Sequence, residues 1–451
     1  MIIEKRMRYL LATIIVIISF LSCDGERVVK DLGDDDNIEQ GDKEETISDE
    51  EIMDIVQSQT FKYFWDYAHP TSGMARERSN GDGDIVTTGG TGFGLMSLIV
   101  GVERNYITRE QALDRLLKIT DFLKNKTTRY HGAWAHWVNG RTGITKPFSP
   151  KDNGGDLVET SFLVQGLLTV KQYFTNNTEK ENLLVERIDE LCDGVEWDWY
   201  TNGTDHLIWH WSENYNWDMN LPIKGFNECM ITYVLAVSSK NHAIAPELYH
   251  SGWAGSNYAR GMNISRTGYT GGPLFFTHYS YLGLNPKITD KYIKASRFDS
   301  YFERNKEQSL INKQYCVDQK NKYDYYGEDC WGLTASDDPK GYMAHNPSTN
   351  GDNGTISPTA AISSIVYTPE ESLKVMKHLY TTYKDKGLWG KYGFKDAFNV
   401  KEDWFASSYL AIDQGPIVVM IENYRSGLLW NLFMKNEEVK QGLNKCGIEL
   451  K

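Results

Sequence analysis

Three carboxylates stand where helices are about to begin, and their setting suggests acid–base chemistry. Asp152 and Asp156 flank Asn153-Gly154-Gly155, just ahead of one apolar run, and Glu228 follows Lys224-Gly225-Phe226-Asn227 ahead of another. Cleaving an acetal needs an acid to protonate the leaving oxygen and a base to activate water. Carboxyls roughly 6.5–9.5 Å apart invert the anomeric centre, whereas about 5–5.5 Å permits a covalent intermediate. The same residues also have purely structural readings. Asp156 with Glu159 has the spacing of a capping box, and Glu228 in a first turn would complement the helix dipole. Spacing alone does not choose between them.

Aromatic and polar residues gather in the Gly-containing segments around these carboxylates. His136, Trp137 and Arg141 lie in 132–143, Trp211 in 205–218, His278 and Tyr279 in 268–283, and Trp331 in 329–348. Sugar rings offer apolar faces edged by hydroxyls, which a Trp face and a few polar side chains complement. These seven residues are therefore candidate substrate contacts, each with core or rim packing as its alternative. Asp82-Gly83-Asp84 lacks the rest of a calcium-loop pattern and reads as a turn. No metal ligand set and no cofactor motif is found.

The elements that must position these residues are helical. Apolar residues recur three and four apart through about twelve stretches, among them 49–67, 92–102, 156–174, 179–196, 227–238, 246–256, 290–305, 357–367, 370–384 and 414–424. Two textures alternate. GGTGFGLMSLIVG, GGDLVETSFLVQGLL and KGFNECMITYVLAV are apolar nearly all round, whereas REQALDRLLKITDFLKNK and PEESLKVMKHLYTTYKDK are charged on one side. All-apolar helices are buried and amphipathic ones face water. Alternation of the two predicts an all-α fold of two concentric rings, an (α/α)6 toroid with long Gly- and Trp-rich loops and minor β-hairpins. No internal period of 20–50 residues supports a solenoid.

Composition bounds the rest. The chain has 451 residues, a net charge of −13, and 13 Trp, 27 Tyr and 17 Phe, too aromatic for a disordered protein. An acidic chain without basic clusters excludes nucleic acid as a natural partner. Residues 1–22 have a basic head and an apolar stretch and read as a secretory signal. Cys23 then sits where a lipoprotein signal places its acylated residue. Residues 24–45 carry ten acidic and three basic side chains and no aromatic, which with Cys23 makes 23–45 a tether, leaving 46–451 as the folded domain. The other five cysteines have no metal-ligand spacing; Cys316 and Cys330 could bridge or stay free. No long amphipathic seam is left over, so a monomer is expected.

The stretches KDNGGDLVETSFLVQGLL, IKGFNECMITYVLAVSS, FFTHYSYLGLNP and FWDYAHPTSGMARERSNGDG resemble the bacterial glycoamylase-like family of glycoside hydrolases. That family contains endo-β-1,2-glucanases, many of them lipoproteins of gut and soil Bacteroidota, and the likeness spans essentially all of 46–451. It implies an (α/α)6 toroid, hydrolysis of β-1,2-glucan to sophorooligosaccharides with inversion, and essential acidic positions at Asp152, Asp156 and Glu228. It also implies an outer-membrane lipoprotein that touches the membrane only through its lipid. Glu228 is the expected acid, Asp156 the water-activating group and Asp152 its helper. An older family label, glucoamylase, implies α-1,4 substrates, and nothing in the residues separates the linkages. A non-catalytic glycan-binding lipoprotein and a polysaccharide lyase are the rival classes. The first needs no convergent carboxylates, and the second suits a more basic body.

Overall fold

The computed structural model describes residues 47–255, 262–264 and 271–451. The signal segment, Cys23 and the tether lie outside the described residues.

Helices dominate. They are α1 (Asp49–Trp65), α2 (Thr88–Glu103), α3 (Arg109–Asn125), α4 (Leu157–Tyr173), α5 (Glu179–Asp193), α6 (Met230–Ser238), α7 (Lys291–Lys294), α8 (Tyr301–Asp318), α9 (Pro358–Ile362), α10 (Pro369–Tyr383), α11 (Ala411–Ser426), α12 (Leu428–Phe433) and α13 (Glu437–Lys445). Between them lie strands of two to four residues, mostly paired as small antiparallel hairpins. No helix among the described residues is long and apolar enough to cross a membrane.

The two textures separate as patterning requires. In α2 the residues from Thr88 to Gly101 are all buried, and in α4 those from Leu157 to Val170. In α3 only one stripe is buried, formed by Ala112, Leu113, Leu116, Ile119, Thr120, Phe122 and Leu123. Its start is fixed by a capping box. Gln111 N–H donates to Thr108 Oγ1 at 3.2 Å, and Thr108 N–H to Gln111 Oε1 at 2.8 Å, worth about 1 kcal/mol. The buried helices touch in sequence: α2 packs on α4 and α11, α4 on α6, and α11 on α9. Amphipathic α3 and α5 pack on each other outside α2 and α4, and α10 packs on α9.

The α2–α4 contact is close enough to demand glycine. A Cβ on Gly166 would stand 2.2 Å from the Gly92 carbonyl oxygen, and one on Gly92 would stand 2.1 Å from that of Phe162. Real Cβ atoms never approach backbone so closely, so these glycines set the helix separation.

Several boundaries differ from the periodicity. Helix α2 starts four residues before Gly92, because Thr87 ends a strand on 137–139 and the chain turns straight into the helix. The stretch expected over 290–305 is two helices, and the second runs on to Asp318. The stretch near 246–256 holds a single π-type turn, Tyr249–Ala254. The run 274–281, expected as loop, forms two 3-10 turns between α6 and α9. They are tied down by Tyr367 Oη donating to Thr277 O at 2.9 Å and by His278 against Ser364 at 3.0 Å. All five cysteines among the described residues are free, so Cys316 and Cys330 do not bridge.

Candidate active site

At the mouths of the buried helices lies a cavity of about 380 Å³. Glu228 and Glu159 reach it, with His136, Trp137, Trp209 and Tyr279 among the residues around them.

Glu228 sits just ahead of α6. Its backbone is pinned through its carbonyl, which accepts from Ser280 Oγ, which in turn accepts from Ile231 N–H at 3.0 Å. Its side chain is only 7% exposed, and Oε2 has no hydrogen-bond partner. Burial raises the carboxyl from 4.5 to about 7, with Glu159 and Asp156 adding repulsion. A carboxyl that keeps its proton near neutral pH can act as an acid.

The Asp152–Asp156 loop is held by a short antiparallel pair in which Gly155 faces Trp211 and Asp156 faces His210. Gly154 makes this possible, since a Cβ there would lie 2.1 Å from the Trp211 carbonyl oxygen. Asp156 is the N-cap of α4: its Oδ1 accepts from Val158 N–H at 3.0 Å and Glu159 N–H at 2.9 Å. Its Oδ2 pairs with His136 Nδ1 at 2.9 Å. Both oxygens are thus committed, and the residue is 1% exposed. Glu159 Oε2 accepts from Gly89 N–H at 2.8 Å, and Oε1 lies 4.0 Å from His136 Nε2. His136 therefore sits between two carboxylates. Burial pulls its pKa down, but Glu159 and Asp156, with help from Asp152, carry it up to about 9. Phe148 stacks on this imidazolium at 4.2 Å, a cation–π contact.

Asp152 is the less satisfied member. Its Oδ1 finds no donor, and it lies 3.3 Å from His210 Nε2, which already accepts from Gly154 N–H at 3.2 Å. Burial first, then Asp156, raises Asp152 to about 7. Donor atoms of His136, Asp152 and Asp156 lie within 4.8 Å of one another, a spacing open to a cation. A protonated His136 with Nδ1 on Asp156 has no lone pair to offer a metal.

A second carboxyl group stands behind the residues lining another part of the cavity. Arg78 Nη1 holds Asp337 at 3.1 Å, and Asp337 N–H donates to Asp396 Oδ2 at 2.7 Å. Asp396 Oδ1 and both oxygens of Asp413 find no donor. Burial and repulsion from Asp337 raise Asp396 to about 7, and burial with Asp396 beside it raises Asp413 as well.

Of the residues singled out in the sequence, His136, Trp137, Tyr279 and Glu228 meet at the cavity, with Asp152 and Asp156 grouped around His136. The other four are elsewhere. Arg141 is on an exposed hairpin, paired with Asp84 at 3.1 Å. Trp211 packs edge-on to Trp199 and Trp217. His278 is buried and lowered to about 3 by burial. Trp331 is fully buried in the core. Residues the sequence reading did not assign to the site are Glu159, Trp209, Arg78, Asp396 and Asp413. A signal existed for two of them: a carboxylate within the first turn of an all-apolar helix marks Glu159 and Asp413.

The Glycoamylase family model, "Putative glucoamylase", matches residues 220–437. The chain is 46% identical over 426 residues to an exo β-1,2-glucooligosaccharide sophorohydrolase (non-reducing end) of Parabacteroides distasonis, an alignment covering 88% of this chain and 58% of that protein. The chain thus spans a little over half the length of this relative. An endo-β-1,2-glucanase from Chitinophaga pinensis, solved with sophorotriose and glucose, is 53% identical with a TM-score of 0.85, covering 89% of this chain and 99% of that one. A β-1,2-glucanase structure from Parabacteroides distasonis is 45% identical with a TM-score of 0.83, covering 89% and 60%. Matching fold, near-complete coverage and the shared sequence together place the chain: it belongs to the glycoamylase-like family of glycoside hydrolases.

Proposed function

We propose that this chain hydrolyses β-1,2-glucan, cutting within the chain to release sophorooligosaccharides. The observation that carries the reading is Glu228, a buried carboxyl that keeps its proton to about pH 7 in a cavity walled by aromatic rings. The β-1,2 linkage follows relatives at 46% and 53% identity whose names specify it. Endo action follows the one whose full length this chain spans.

The sequential contacts of α2, α4, α6, α9 and α11, with the 3-10 turns at 274–281 filling the gap between α6 and α9, support a closed inner ring. The outer layer of α3, α5 and α10 then completes an (α/α)6 toroid, with α6 across the ring from α11.

In the mechanism, Glu228 gives its proton to the glycosidic oxygen as the C1–O bond breaks. Water attacks C1 from the far side and passes its proton to a carboxylate, inverting the configuration. Asp156 spends both oxygens on the α4 N-terminus and His136, so its role is positioning. Asp152, with a free oxygen, takes the role of base. A second reading gives that role to Asp413, whose two oxygens lack donors and which enters from the opposite helix. His136, Trp137 and Tyr279 contact the sugars. Signal segment, Cys23 lipidation, an outer-membrane location and a monomeric state complete the reading.

The test is product analysis from a panel of α- and β-glucans, with wild type and Glu228→Gln. Sophorooligosaccharides from linear β-1,2-glucan alone, lost in the variant, support the proposal; release from α-1,4-glucan, or no release from any glucan, overturns it. Azide separates the two bases. The inactive Asp→Ala variant that azide revives, by attacking C1 from the vacated space, marks the base.

A further inference from the structure

A second cleft, of about 410 Å³, opens away from the catalytic cavity and shares no lining residue with it. Its floor is aromatic. Trp199, in a 3-10 turn, is 40% exposed, an unusual state for so large an apolar ring. His131 backs one face of it at 3.6 Å and 13°, which fixes the ring. Trp217 stands 6.1 Å away at 31°, and both line the cleft. Trp211 braces the two edge-on from behind.

The rim is polar and acidic. Glu196, Asp198, Asn202 and His242 line it, with Thr201 and Gly203 between them. Glu196 pairs with His131 at 2.9 Å and Asp198 with His242 at 3.1 Å, each carboxylate keeping further acceptor capacity. A fixed aromatic face edged by carboxylate and amide groups suits a ring with apolar C–H faces and hydroxyl edges. The same carboxylates repel polyanions. One short chain segment links this cleft to the catalytic cavity: Trp209 lines the cavity, and Trp211, two residues on, joins the aromatic cluster.

We propose that the Trp199–Trp217 cleft is an accessory binding site for a neutral glucan chain, holding polymer outside the catalytic cavity. The choice of β-1,2-glucan as its ligand rests on the functional reading above; the cleft's aromatic and acidic chemistry does not.

The experiment uses the full chain and native electrophoresis through gels containing linear β-1,2-glucan, alongside kinetics on short sophorooligosaccharides. Glu228→Gln in the same gel reports retention without turnover. Trp199→Ala should weaken retention about five- to tenfold, the loss typical of removing an aromatic anchor, with kcat/KM on short substrates within about twofold of wild type. Trp199→Phe, which keeps the stack on His131, should fall between. Retention of both variants equal to wild type overturns the accessory site while leaving the catalytic reading intact. Wild type that passes β-1,2-glucan unretarded also overturns it. Failure of the catalytic reading appears separately, as absent hydrolysis of short oligosaccharides by wild type.

Discussion

Replacing Glu228 with Gln should abolish the reaction and stabilise the fold, and the second effect can be sized from the site. Burial moves this carboxyl from 4.5 to about 7, a difference of roughly 2.5 pH units worth about 3 kcal/mol at 1.36 kcal/mol each. The native state then holds the proton more tightly than the unfolded chain, so stability falls as pH rises from about 4.5 to 7. Below that window both states are protonated and the cost is absent; above it the cost is complete. Gln has nearly the same shape and no charge at any pH. For roughly 400 ordered residues, 1 kcal/mol moves the melting temperature about 1 °C. The variant should therefore melt with wild type at pH 4.5 and about 3–4 °C above it at pH 8, with the gap opening between. Differential scanning fluorimetry across that range is the assay. A pH-independent gap, or a variant less stable than wild type at pH 8, refutes the burial-raised carboxyl of Glu228 and the acid role built on it.

Four further outcomes are expected. With Glu228 and Asp152 both near 7, kcat/KM should trace a narrow bell centred near neutral pH, falling on the acid side as the base takes its proton and on the alkaline side as the acid loses its own; a plateau from pH 5 to 9 contradicts it. His136 is raised to about 9, so its contribution to stability, about 3 kcal/mol, is complete below pH 6.5 and lost as pH rises through 9; urea denaturation of His136→Ala should show the deficit shrinking over that interval. Gly166→Ala drives a Cβ to 2.2 Å from the Gly92 carbonyl and should cost at least about 3 kcal/mol, since backbone cannot rotate away; a melting temperature within 1 °C of wild type would count against the α2–α4 contact. Proton NMR of first-formed products from β-1,2-glucan should show the α-anomer before mutarotation, and initial β-anomer would exclude single displacement.

What the sequence made legible follows from which forces are local. Helix texture is set by residues three and four apart, so the all-apolar character of α2 and α4 and the stripe on α3 could be read directly. The 3-10 turns at 274–281 could not, because their partners are distant: Gln165 Nε2 donates to Tyr279 O at 3.0 Å and Tyr367 Oη to Thr277 O. The aromatic loops divide the same way. Trp209, Trp211 and Trp331 look alike in sequence, yet one lines the cavity, one braces a surface cluster and one is core. Nothing within a few residues of a loop Trp says which side of the chain will be covered. Asp396 and Asp413, 17 positions apart, meet only because a hairpin and a helix entrance converge, so their mutual repulsion had no local signature.

The carboxylates themselves show why capping and chemistry were poor alternatives to weigh against each other. Asp156 and Glu228 both stand at helix entrances, where the dipole favours a charged carboxylate by about 0.3–1 kcal/mol. What separates them is the number of donors each one faces. Asp156 receives two backbone N–H groups and the His136 imidazolium; its cap is what aims His136 at Glu159. Glu228 Oε2 receives none, and burial worth about 3 kcal/mol outweighs the dipole by a wide margin. The same position thus yields an anchored anion in one helix and a proton donor in the next. Adding a donor within reach of Glu228 Oε2 should therefore lower its pKa and move the alkaline limb of the pH profile toward acid, with the fold left in place.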